Sequence, residues 1–123
     1  MDFEKFFEAL RKAIPEFDNA VREHISFHEG VIAHFLMVEF SAFFCGLFEA
    51  LESLEMRESL VRRTLFVMDS ALKLNEEPIN ELIVLSFIDN LQISHRKRDE
   101  FDRIAKDFSV FAIEYDKNRE RLR

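Results

Sequence analysis

Val31-Ile32-Ala33-His34-Phe35-Leu36-Met37-Val38-Glu39-Phe40-Ser41-Ala42-Phe43-Phe44-Cys45-Gly46-Leu47-Phe48-Glu49-Ala50-Leu51 is the most apolar stretch of the chain. It is long enough to span a bilayer. His34, Glu39 and Glu49 interrupt it, however, and one central acid costs about 2.5–3.5 kcal/mol on insertion. The run reads as a buried helix reaching about Leu54. Because it is apolar nearly all round, neighbours should cover it on most sides. No membrane span is expected.

The flanking sequence supplies those neighbours. With 15 Phe but only 2 Gly and 2 Pro in 123 residues, the chain has few of the residues that tight turns need. Asp2 can cap a first helix through about Ile14, with Phe3, Phe6, Phe7, Leu10 and Ile14 on one stripe. Pro15 ends it and opens a second helix, from about Glu16 to Glu29, with Phe17, Ala20, Val21, His24 and His28 on one face. Gly30 separates that helix from the apolar run. A break near Ser53–Met56 starts a fourth helix to about Leu74, with Val61, Leu65, Met68 and Leu72 as its seam. Asn75-Glu76-Glu77-Pro78 is the clearest loop. Ile79 to about Ile93 suits helix by length and by the pattern Ile79, Leu82, Ile83, Phe87, Leu91. A last helix runs from about Ser94 or Asp99 towards Arg119, carrying Phe101, Ile104, Phe108, Ala112 and Tyr115. The expected fold is all-α, one compact domain over 1–123 with about six helices.

Charge and cysteine content narrow the function classes. Net charge is −7; residues 1–94 carry −9 and residues 95–123 carry +2. An acidic body argues against general nucleic-acid binding and is compatible with a basic protein partner. The single Cys45 cannot form an internal disulfide, and Met1-Asp2-Phe3-Glu4-Lys5 has no signal-peptide pattern. A reduced, cytoplasmic setting fits. The basic tail from Lys117 to Arg123 complements a helix C-terminus in preference to binding nucleic acid or lipid.

No catalytic constellation stands out. His24 and His28 have the i, i+4 spacing used by zinc sites, and His34 and Glu39 would complete a set, but packing histidines explain the pattern better. Glu39, among Phe35, Leu36, Phe40 and Phe43, needs a partner or solvent. Nucleophilic catalysis and phosphate-cradling loops lack their motifs. No enzyme activity, metal or cofactor is therefore expected. Among the acids, Glu55, Glu58, Glu76, Glu77 and Glu81 flank helix N-termini, where negative charge is favoured. Glu49 and Glu52 lie near the C-terminal end of the apolar helix, where it is mildly adverse, which suggests an external role.

Two segments carry a resemblance: Glu23-His24-Ile25 through Gly30-Val31-Ile32-Ala33-His34-Phe35-Leu36-Met37-Val38-Glu39-Phe40, and Glu81-Leu82-Ile83-Val84-Leu85-Ser86-Phe87-Ile88-Asp89-Asn90-Leu91. Over about Pro15 to Leu91 the chain resembles small all-helical bacterial immunity proteins associated with polymorphic or contact-dependent growth-inhibition toxins. The resemblance implies stoichiometric inhibition: binding the C-terminal domain of a cognate toxin, often a nuclease with a basic cleft, and covering its active site. Partner-binding positions would lie on exposed polar faces, with Glu49, Glu52 and Glu55 favoured and Glu76 and Glu77 competing. The free protein would be a monomer or dimer. An alternative is a helical adaptor or homo-oligomer with an apolar patch of Phe27, Phe44 and Phe48. A third reading is a metal-dependent enzyme using His24, His28, His34 and Glu39.

Overall fold

The computed structural model describes the backbone of residues 1–121 and side chains to residue 119. Leu122 and Arg123, the end of the basic tail, lie outside the described residues. Seven α-helices and no strand occur among them.

Helix α1 (Phe3–Ala13) starts where Asp2 accepts a hydrogen bond from the Lys5 amide at 2.8 Å. Phe6, Phe7 and Leu10 form its buried stripe. Pro15–Phe17 makes a tight 3-10 turn into α2 (Asp18–His28). Glu29 ends α2 in the left-handed region at φ 57°, followed by Gly30 at φ 153°, whose amide reaches back to the Ile25 carbonyl. Helix α3 (Ala33–Ala50) follows, then α4 (Leu54–Lys73), which Ser53 caps through the Met56 amide. Val61, Leu65, Met68 and Leu72 are all buried, as the periodicity of α4 requires. Asn75 takes φ 53° in the loop before α5 (Glu77–Glu81).

Three features depart from the sequence-based expectations. First, α3 is covered on one face only: Leu36, Met37, Phe40, Ser41, Phe44, Cys45 and Phe48 are buried, whereas Phe35, Val38, Ala42 and Gly46 are exposed. Among the described residues it is the one helix long and apolar enough to cross a membrane, yet its buried face forms part of the core.

Second, α5 runs into a π-helical stretch, Leu82–Phe87, and a 3-10 turn, Ile88–Asn90. The wider winding narrows the angle between successive side chains, and Ser86, Phe87 and Ile88 are all buried. Irregular winding also frees carbonyls that need partners. The Ser41 hydroxyl donates to Phe87 O at 3.2 Å, and the Asn90 amide donates to Ser86 O at 3.1 Å.

Third, the expected last helix is two, α6 (His95–Ala105) and α7 (Ser109–Arg121). Neither Gly nor Pro breaks it. Asp69, on α4, accepts from the Val110 and Phe111 amides at 3.0 and 2.9 Å, capping a new helix start from across the core.

Helix α4 packs against α1, α6 and α7, while α3 lies along the π-helical stretch. Phenyl rings join these layers. Phe40 and Phe44 meet Phe87 at 5.8 and 5.7 Å between centroids, and Phe101 meets Phe44, Phe48 and Phe111 at 6.2 to 6.5 Å. These edge and offset contacts add about 0.5–1.5 kcal/mol each beyond the area they bury.

Candidate functional site

The five glutamates singled out in the sequence do not gather. Glu49 is engaged inside the fold. Its carboxylate accepts from the Ser94 amide at 2.8 Å and the Ser94 hydroxyl at 3.1 Å, and so caps α6; Lys97 lies 3.7 Å away. The Ser94 amide, with Ser94 Oγ and Lys97, holds the Glu49 carboxyl below the usual range. The adverse helix end that suggested an external role is satisfied internally. Lys97 Nζ donates to Glu49 O at 2.6 Å, and Arg57 donates to Leu51 O and Glu52 O at 2.8 and 3.0 Å.

Glu52 and Glu55 are exposed beside exposed Leu54 and Met56. Glu76 pairs with the Met1 ammonium at 2.7 Å, and Glu77 is exposed at the start of α5. The 20-residue α4 separates these two groups by roughly 30 Å at 1.5 Å per residue. One partner face of ordinary size would take one group.

The histidines form a more definite arrangement at the α2–α3 corner. His24, His28 and Glu39 present ligand atoms within 4.8 Å of one another. His34 is not among them, since its Nδ1 lies 2.6 Å from Ser86 Oγ. His24 is fully covered, and both its nitrogens are in use. The Ile32 N–H donates to Nε2 at 3.0 Å, so Nε2 carries a lone pair. Nδ1 then holds the proton and donates to Glu39 Oε1 at 3.3 Å.

A ligating imidazole needs the opposite second contact, its far N–H facing an acceptor. With a cation on Nδ1, the proton would move to Nε2 and collide with the Ile32 N–H. As arranged, the trio does not fit a metal. What His24 does is tie the start of α3 to the end of α2 and give Glu39 the partner its apolar surroundings demand. Cys45 is equally quiet, because burial pushes its thiol up, away from the reactive thiolate.

The same corner carries a cluster of exposed apolar side chains, while Phe66, Leu74, Leu85 and Ile113 are exposed elsewhere. Phe27 is 83% exposed and Phe35 53%, with Ile32 and Val38 also open to solvent. The His28 ring links the two phenyls at 4.8 and 5.3 Å, making one continuous aromatic surface. Glu23, one turn before Phe27, and Glu39, one turn after Phe35, border it. Of the trio Phe27, Phe44 and Phe48, only Phe27 is available; the other two are fully buried.

The surface was missed because periodicity groups residues by face without saying which face is covered. A usable signal existed: from Glu23 to Met56 the chain holds six glutamates and no lysine or arginine. No family model matches the chain, and no curated protein or solved structure matches it.

Proposed function

We propose that the protein acts by contact, as an immunity-type inhibitor that binds and neutralises a basic bacterial toxin domain in the cytoplasm. The observation that carries this reading is the aromatic surface of Phe27, His28 and Phe35, bordered at one-turn spacing by Glu23 and Glu39. Large exposed rings in a polar border have the make-up of a protein interface core and rim. A border of carboxylates selects a cationic partner and speeds its approach. The interface expected is of standard size, on the order of 1,600 Å² in total. Glu52 and Glu55, with Leu54 and Met56, form a competing surface at the far end of α3.

The test is rescue. Co-expression with the C-terminal domain of a large effector encoded beside this gene should restore growth. Phe27→Ala with Phe35→Ala should abolish rescue while leaving the folded protein intact, and Glu52→Lys with Glu55→Lys should not. Growth arrest that the wild-type protein fails to relieve refutes the inhibitor reading. A self-association reading is favoured by the exposure of Phe27, but a two-fold contact through this face would bring like carboxylate borders together. Sedimentation should accordingly find a monomer.

A further inference from the structure

A cavity of about 400 Å³ lies between the turn after the π-helical stretch, the start of α6 and the end of α7. Ile88, Leu91 and Ile93 give it apolar walls, and His95, Arg98 and Arg119 line it as well. Its volume is in the range that takes a small organic ligand. Its charge sets it apart. Four other surface cavities each include at least one carboxylate in their lining, whereas this one has two guanidiniums, a histidine and no acid among the described residues. In a chain of net charge −7 that concentration is unusual.

The two arginines are not equivalent. Arg119 is already paired, its Nη1 donating to Asp102 Oδ2 at 2.7 Å while the guanidinium lies over the Tyr115 ring. Arg98 has no carboxylate within ion-pair distance among the described residues. Its Nη2 donates to Ile93 O at 3.1 Å, and its Nε is sealed from solvent with no acceptor among the described residues. Arginines 11, 22, 57, 62, 63 and 103 all have carboxylate partners. Asn118 also belongs to the lining: it is 3% exposed, and its amide nitrogen donates to Glu114 O.

We infer that this cavity binds a small amphiphilic carboxylate, its anionic head on the Arg98 guanidinium and its hydrocarbon body against Ile88, Leu91 and Ile93. Guanidinium and carboxylate are matched in shape as well as charge. The apolar wall supplies affinity that a bare inorganic anion cannot use. The site is separate from the α2–α3 surface and does not depend on a toxin partner.

Octanoate titrated into the full chain, followed by methyl NMR, tests it. Saturable shifts of the Ile88, Leu91 and Ile93 methyls are expected, with acetate, inorganic phosphate and octanol each binding at least tenfold more weakly. Arg98→Gln should weaken octanoate by roughly ten- to a hundredfold, the loss expected for a charged hydrogen bond. Arg96→Gln, at an exposed arginine of the same helix, should leave it unchanged. Failure of octanoate to shift these methyls overturns the inference, as does equal binding by Arg98→Gln. Acetate or phosphate as strong as octanoate removes the apolar seat, and octanol as strong removes the role of charge. The wild-type comparison decides the matter even where a variant folds poorly.

Discussion

Single residues in this protein are best understood by what they satisfy. Gly46 sits within α3 on its exposed side, and a Cβ there would meet no atom within 4 Å. Mid-helix glycine costs about 0.5–1 kcal/mol relative to alanine. Gly46→Ala should therefore raise unfolding stability by that amount in urea titrations. Glu49 behaves oppositely, as a cap delivered from another helix, and Glu49→Ala should lower stability by about 1 kcal/mol. Its pH signature follows from linkage. The folded carboxyl lies below its unfolded value, so between the two the unfolded chain binds more protons. The contribution is whole above the ordinary glutamate value of about 4.3 and is lost as pH falls below it through the folded value. Stability measured against pH should fall less steeply on acidification in Glu49→Ala than in the wild type.

At the scale of helices, legibility tracks how local the controlling residue is. The starts of α1 and α4 are readable because Asp2 and Ser53 sit beside the amides they cap. Pro15, Gly30 and Asn75 likewise mark real boundaries. The division between α6 and α7 is invisible locally, since Asp69 lies 41 residues before the amide it caps at Val110. That carboxylate is 5% exposed, so removing it strands two amides. Asp69→Ala should cost about 2–3 kcal/mol in urea unfolding, from lost caps and unsatisfied donors together. It should also speed amide exchange at Val110 and Phe111 before the rest of the core. A loss below 0.5 kcal/mol would mean that another group sets the break. The π-helical stretch was similarly hidden. Its sequence has a regular helical pattern, and the acceptors it frees are met by Ser41 from α3 and by Asn90.

For the whole molecule, the apolar residues divide between a filled interior and several exposed positions, among which Phe27, Ile32, Phe35 and Val38 share the α2–α3 corner. Eight phenylalanines are fully buried, so aromatic surplus as such is structural. Phe27 is different, with its ring 83% exposed on a helix whose buried face is Val21 and His24. Truncating an exposed ring should leave unfolding free energy within about 0.5 kcal/mol of wild type. At the centre of an interface the same truncation should cost at least about 2 kcal/mol of binding, or roughly thirtyfold. Charge reversal on the border has another signature: Glu23→Lys should slow association with the toxin domain and flatten its salt dependence, with dissociation changed less. Surface plasmon resonance at several ionic strengths separates the two effects. Phe27→Ala acting mainly on dissociation, and Glu23→Lys mainly on association, would assign the ring to holding and the carboxylate to steering. Unchanged rates in both variants would move the contact away from the α2–α3 corner, towards Glu52 and Glu55 at the other end of α3.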